Sequence, residues 1–271
     1  MKRFTLDRRE RHIPQNPTLS FAASILKEAE GCDEIWSIGG GSTIDVGKFV
    51  AFNLDIEHTA IPTTAGTGSE VTKYAVFTVN GKKKTLEHER LIPTEYIHDP
   101  SLVTSCPPSV TASAGLDALS QLIESDVVKP NKNKKESIKM ILKYLVKSYK
   151  NPLNEKYREV MLTAATNSGI AINETKTSLC HAISYPLTTY YDIPHGIACA
   201  LSLPYFVSKM GYRYTKAKRI EKLLRELNIA PQRLVRGGDR TLVIDTAFKS
   251  ERAYNTPKPI FKSNVKKELW L

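Results

Sequence analysis

Apolar and polar positions along the chain follow two alternating periods. From Leu19 to Gly31 the apolar residues recur at helical spacing, with Phe21, Ile25, Leu26 and Ala29 on one face. Thr18, just after Asn16-Pro17, is expected to cap this helix and Gly31 to end it. The short apolar run Glu34 to Ile38 predicts a strand leading into Gly39-Gly40-Gly41-Ser42, after which Thr43 to Asn53 resumes the helical pattern. Further extended segments are expected near Thr59 to Pro62, Ala75 to Val79 and Tyr96 to Ile97. Helix, strand, glycine turn and helix in this order imply a parallel sheet covered by helices.

Beyond Pro107-Pro108 the pattern changes. Val110 to Val127, Lys134 to Lys150 and Asn154 to Ile172 read as long helices, and helical patterning continues to about Leu227. The predicted fold class is therefore an α/β N-terminal part over residues 1–107, a partial dinucleotide-binding domain, followed by an all-α domain over residues 108–271. Ile229 to Arg240 reads as a loop.

Composition narrows the setting. With 41% hydrophobic and 25% charged residues the chain is ordinary for a globular protein. No apolar run approaches the roughly 18–20 residues of a membrane span. The charged opening MKRFTLDRRERHIP lacks the apolar core of a secretory signal, so a cytoplasmic protein is expected. Cys32, Cys106, Cys180 and Cys199 lie far apart and read as buried free thiols rather than a disulfide framework or zinc ribbon. A net charge of +11 alone leaves nucleic acid, anionic membrane and a small anionic substrate open. The basic residues are spread over several segments without a nucleic-acid motif, so neither nucleic acid nor membrane is expected as a partner.

Three constellations carry chemistry. The GGGS turn between a strand and a helix brings free backbone N–H groups to a helix N-terminus, a place that suits phosphate. The second, Thr63-Thr64-Ala65-Gly66-Thr67-Gly68-Ser69-Glu70, packs small hydroxylated residues that supply donors without bulk, although an ordinary polar loop has the same composition. In the third, Asp117 and Gln121 stand four apart on one helix face, while His181 and His195 flank a segment in which Pro186 and Pro194 are expected to bracket a turn. One carboxylate and two histidines are a donor set for a catalytic metal. Gln121 either adds an amide oxygen or hydrogen-bonds within the helix.

GGGSTIDVGK, AIPTTAGTGSEVT, GLDAL, and HAISYPL followed by IPHG resemble the successive signatures of the iron-containing alcohol dehydrogenases, the metal-dependent group III family. The DPSLVTSCPPSVTASAGLDALSQLIES and HAISYPLTTYYDIPHG segments are similar to its phosphonoacetaldehyde reductase branch. The resemblance implies an NAD(P)H-linked, metal-dependent oxidoreductase for a small aldehyde or alcohol, phosphonoacetaldehyde among them. It makes Gly39, Gly40, Gly41 and Ser42 the pyrophosphate cradle with Asp45 beside it, sets Thr63, Thr64, Thr67 and Ser69 along the nicotinamide, and has Lys84 reach the cofactor. Asp117, His181 and His195 fall on ligands of a divalent metal, Fe²⁺ or Zn²⁺. Gln121 stands where many members have a fourth ligand histidine, and Tyr185 replaces a further histidine near the nicotinamide. Protonation of the product is then assigned to Tyr185 or a bound water.

Lys73, beside the TTAGTGSE loop, is the expected contact for an anionic group on the substrate, unless it is simply solvated. Family members carry additional strands ahead of GGGS, so the resemblance also implies an N-terminally shortened nucleotide domain. Two consequences follow as expectations: self-association to cover the exposed sheet, and, as the alternative to an active reductase, a truncated remnant that folds or associates without turnover.

Overall fold

The computed structural model describes residues 2–229 and 240–269. Residues 230–239 of the expected loop lie outside this range.

The chain opens with a strand that the hydrophobic pattern did not predict. β1 (Arg3–Asp7) runs parallel to β2 (Glu34–Gly39), with Phe4 opposite Ile35 and Leu6 opposite Ser37. Two apolar residues set between polar neighbours give too short an alternation to stand out in sequence. α1 (Leu19–Glu28) starts at the predicted cap, the Thr18 hydroxyl accepting from the Phe21 N–H, and Gly31 follows its end at a φ of 74°. α2 (Gly41–Leu54) joins β2 to β3 (Glu57–Pro62), and β6 (Glu95–Tyr96) completes a parallel sheet of order β1-β2-β3-β6. Leu6 and Ile35 from the sheet, Ala22 and Ile25 from α1, and Val46 and Val50 from α2 form one apolar core. Beneath α2, buried His58 pairs with the Ser37 hydroxyl at 2.9 Å. Burial and the Lys48 ammonium push His58 down to about 3, which keeps it neutral.

β4 (Tyr74–Val79) and β5 (Lys82–Glu87) form a separate antiparallel hairpin. Its turn is Asn80-Gly81, with φ of 50° and 72°, the positive pair that a two-residue hairpin requires. The sequence KKKTLE of β5 hides this strand from a hydrophobic reading.

The short helix α3 (Pro100–Thr104) leads into the helical part. There α4 (Pro108–Val128), α5 (Lys132–Lys150) and α6 (Glu155–Thr175) correspond to the three long helices expected. Asn131 and Asn154 cap α5 and α6 by accepting from the N–H groups of Lys134 and Tyr157. α7 (Leu179–Tyr191), α8 (His195–Met210) and α9 (Ala217–Glu226) pack on them around a second core that includes Leu116, Leu119, Ile141, Leu162 and Phe206. Pro186 lies inside α7 rather than at its end. The turn into α8 is made instead by Asp192, left-handed at φ 52°, with Ile193 and Pro194. Two short helices, Arg240–Ala247 and Lys262–Glu268, complete the described chain. No helix among the described residues is long and apolar enough to cross a membrane.

Candidate active site

A cavity of about 770 Å³ lies between the carboxyl ends of the sheet strands, the β4–β5 hairpin and the N-terminal ends of α7 and α8. Open parallel sheets bind ligands at this edge.

One wall is the glycine turn. The N-cap of α2 is Gly40, which offers no side-chain acceptor, so the first N–H groups of the helix are left for a ligand. Gly41 and Ser42 line the cavity together with Thr67 and Ser69. A Cβ on Gly41 would lie 2.8 Å from the Thr67 hydroxyl, so the absent side chain is what keeps this corner open. The Thr63 N–H donates to the Gly39 carbonyl at 2.9 Å and binds the two loops together. Gly39, Gly40, Thr63 and Thr64 do not line the cavity, and Thr64 lies against Gly40. Asp45 lines the cavity, yet both its oxygens are engaged, by the Ser69 hydroxyl at 2.6 Å and the Val76 N–H at 2.9 Å. It ties α2 to the neighbouring loop and hairpin. The Ser42 hydroxyl donates to the Gln15 carbonyl.

Strand alternation decides the lysines. Lys83, Thr85 and Glu87 face the cavity, whereas Lys84 is exposed on the opposite side of β5. The expectation for Lys84 is therefore one residue out of register. Lys83 lines the cavity instead, and burial lowers its pKa against the pull of Cys199 and Asp117. Lys73 is held by Glu89 at 3.0 Å and Glu87 at 3.6 Å and does not line the cavity.

The other wall is the metal-type cluster. Asp117 comes from α4, His181 from the first turn of α7, and His195 from the first residue of α8. His181 Nε2 is 3.2 Å and His195 Nε2 3.8 Å from Asp117 Oδ1. The approach depends on Gly196: a Cβ there would lie 1.8 Å from the Ser113 carbonyl oxygen, so no other residue lets α8 rest on α4 this closely. The fourth member is Cys199, one helical turn after His195, and donor atoms of all four lie within 4.8 Å of one another. Gln121 lines the cavity too, but its Oε1 accepts from the Ser168 hydroxyl at 2.8 Å. The structure thus brings Asp117, His181 and His195 together, and leaves Gln121 at their side rather than among them.

Behind the cluster, Glu124 contacts His181 Nδ1 at 2.5 Å and accepts from the Cys180 N–H and the Ser178 hydroxyl. A carboxylate on one ring nitrogen aims the other at the cluster, the usual support of a metal-binding histidine. Burial opposes charge on Glu124, and His181 with Ser178 more than offsets it, holding the carboxyl below its ordinary range. Burial likewise resists a charged His181, while Cys199 and Glu124 raise it well above its usual value. The Cys199 thiol, raised by burial but lowered more by the two histidines, ends at about 7. Tyr185 stacks on His195 with ring centroids 6.1 Å apart, and its hydroxyl accepts from Arg252.

Sequence reasoning missed Cys199, Glu124, Lys83 and Arg252. The first two carried a signal, since His195 and Cys199 have the same four-residue spacing as Asp117 and Gln121, and Glu124 lies seven residues beyond Asp117 on the same face. Arg252 is 67 residues from Tyr185 and carried none.

The cleft has a phosphate-type helix terminus on one side and a carboxylate–histidine cluster on the other, the two features a nucleotide-linked metal oxidoreductase needs. Residues 9–100 match the family described as iron-containing alcohol dehydrogenase, and residues 111–269 its C-terminal part. The chain is 28% identical to alcohol dehydrogenase 4 of Schizosaccharomyces pombe, with 93% of this chain and 74% of the relative covered. It is 33% identical to the NAD-dependent methanol dehydrogenase of Bacillus methanolicus, covering 71% of this chain and 57% of that one. Sulfoacetaldehyde reductase of Bifidobacterium kashiwanohense, solved with NAD⁺, superposes with a TM-score of 0.86 at 28% identity, over 94% of this chain and 81% of that one. The protein belongs to the iron-containing alcohol dehydrogenase family. This family works with a nicotinamide nucleotide and a divalent metal, and the cluster described above is a donor set suited to the metal.

Proposed function

We propose that the chain is a metal-dependent, NAD(P)H-linked aldehyde reductase for a small aldehyde carrying an anionic group, phosphonoacetaldehyde being the candidate that the sequence resemblance names. The observation that carries this reading is the shared cavity: the α2 N-terminus, the Asp117–His181–His195 cluster and the Arg252 guanidinium all line it. Residues 1–107 then serve as the nucleotide-binding part and residues 108–271 as the metal and substrate part.

The free N–H groups at Gly41 and Ser42 would hold the pyrophosphate of the nucleotide, with Thr67 and Ser69 supplying hydroxyls to the same space. A nucleotide bound there would supply the hydride that reduces the aldehyde. Asp117, His181 and His195 would hold a divalent ion, which would supply Lewis acidity toward the carbonyl oxygen. The Tyr185 hydroxyl gives that oxygen its proton, and Arg252 beside it stabilises the phenolate left behind. Lys83 contributes positive charge over the same space.

Arg252 replaces Lys73 as the contact for the anionic group. Its guanidinium is largely buried, stacks over the Tyr185 ring at 5.1 Å, and is paired with no carboxylate among the described residues. A buried cation without a paired anion calls for one. The sulfoacetaldehyde reductase likeness points the same way, since that protein's substrate is an anionic aldehyde.

The remnant reading is the weaker one, because a chain freed from catalysis has no need to keep a supported donor cluster facing an open helix terminus. A homo-oligomer in the cytoplasm completes the proposal: β1 and β6 are the edge strands of the four-stranded sheet, where a second copy could pair, and all four cysteines are free and buried.

Titrating the purified protein with NADH and NADPH by nicotinamide fluorescence, followed by turnover with phosphonoacetaldehyde, sulfoacetaldehyde and propanal, tests this. Saturable nucleotide binding and a higher kcat/KM for the anionic aldehydes are expected. Equal kcat/KM for all three would remove the anionic substrate class, and absence of nucleotide binding would remove the reductase.

A further inference from the structure

The geometry points to Cys199 as a metal ligand, its Sγ taking the corner that Gln121 leaves unfilled, in an Asp117–His181–His195–Cys199 site that prefers Zn²⁺ to Fe²⁺. This rests on the metal-dependent reading above and assigns the donors of the same site.

Three observations converge. First, Gln121 is already satisfied, its carbonyl accepting from Ser168 at 2.8 Å, and a neutral amide is a poor donor for either ion. Second, Cys199 is fully buried, and its sulfur is 3.8 Å from His195 Nε2. Donor atoms bonded at about 2.0–2.3 Å to one tetrahedral zinc lie roughly 3.3–3.6 Å apart; here the Asp117–histidine and Cys199–His195 separations are 3.2, 3.8 and 3.8 Å and the donor atoms of all four residues lie within 4.8 Å, so the set closes on an ion by shifts of side-chain size. His195 and Cys199 are one turn apart on α8, so the same close packing at Gly196 delivers both. Third, charge balances. A carboxylate and a thiolate together neutralise a divalent ion, whereas Asp117 with Gln121 would leave a buried net positive charge next to Lys83 and Arg252. Thiolate is a soft donor and shifts selectivity toward zinc.

Cobalt(II) is the probe. The chelator-stripped full chain is titrated with Co²⁺ and its absorption spectrum recorded, in wild type and in Cys199→Ser, Cys180→Ala and Gln121→Ala, with circular dichroism to confirm folding. A thiolate-to-cobalt charge-transfer band in the near ultraviolet is expected in wild type, Cys180→Ala and Gln121→Ala. It is expected to vanish in Cys199→Ser while visible d–d absorption persists. Zn²⁺ affinity, measured by competition with Co²⁺, falls at least about tenfold in Cys199→Ser, since loss of even a supporting residue costs that much. A wild-type spectrum with d–d bands but no charge-transfer band, or a charge-transfer band that survives Cys199→Ser, overturns the ligand assignment and leaves the reductase reading standing. No cobalt absorption at all overturns both.

Discussion

Gly196 and Arg252 mark the two ends of what single residues do in this cavity. Gly196 permits a backbone contact, and Gly196→Ala forces its Cβ onto the Ser113 carbonyl oxygen, 1.8 Å from where it would sit. Overpacking of this kind costs about 1–3 kcal/mol or more. The melting temperature is expected to drop by roughly 2–4 °C for each kcal/mol, with metal affinity falling alongside. A thermal scan with unchanged melting and unchanged metal content would show that α8 has room to move. Arg252 instead lines the cavity, where it is proposed to meet the substrate's anionic group. Charged hydrogen bonds are worth about 1.5–3 kcal/mol, so Arg252→Gln should shrink the kcat/KM preference for anionic over uncharged aldehydes by about 10- to 100-fold. An undiminished preference would place the anion elsewhere. At this scale spacing put Asp117 and Gln121 on one face of α4, while His181 and His195, which stand on α7 and α8, were singled out through the motifs of the resemblance. The sequence misled by one position at Lys84, because strand direction inverts with each residue and β5 has no apolar alternation to fix its register.

Elements were easier to read than their pairings. The long helices follow from apolar period and caps, and β2, β3 and β4 from short apolar runs ended by turns. β1 was missed because Phe4 and Leu6 make too short an alternation to stand out, and β5 because KKKTLE carries almost no apolar residues. Pro186 was misplaced as well, a proline being read as a boundary although helix α7 runs through it. The seat of α2 on the sheet also carries a pH dependence. His58 is neutral when folded, with its pKa near 3, but takes up a proton at about 6.5 once unfolded. Unfolding therefore binds a proton between these values. The stability is fully present above pH 6.5 and is lost as pH falls toward 3, at no more than about 1.4 kcal/mol per unit. His58→Gln is expected to flatten the acid limb of stability between pH 6.5 and 4 relative to wild type, as followed by urea unfolding. Parallel acid limbs in the two proteins would assign the sensitivity to other groups.

Across the whole molecule, function depends on two cores meeting at one cleft, a relation that no local pattern in the sequence states. The order of the motifs implied it through the resemblance, while the meeting of Arg252 with Tyr185 had to be seen. If the cleft binds as proposed, nucleotide and metal each stabilise the folded chain, by about 2.7 kcal/mol at a hundredfold excess over Kd. The central claim is that this chain catalyses metal-dependent hydride transfer, and the most direct measurement is oxidation of NADH or NADPH by phosphonoacetaldehyde, followed by nicotinamide absorbance in metal-loaded, chelator-stripped and reloaded protein. Steady oxidation that chelation abolishes and Zn²⁺ or Fe²⁺ restores is the predicted result. Protein that binds reduced nucleotide and metal yet oxidises neither nucleotide with any small aldehyde would contradict it.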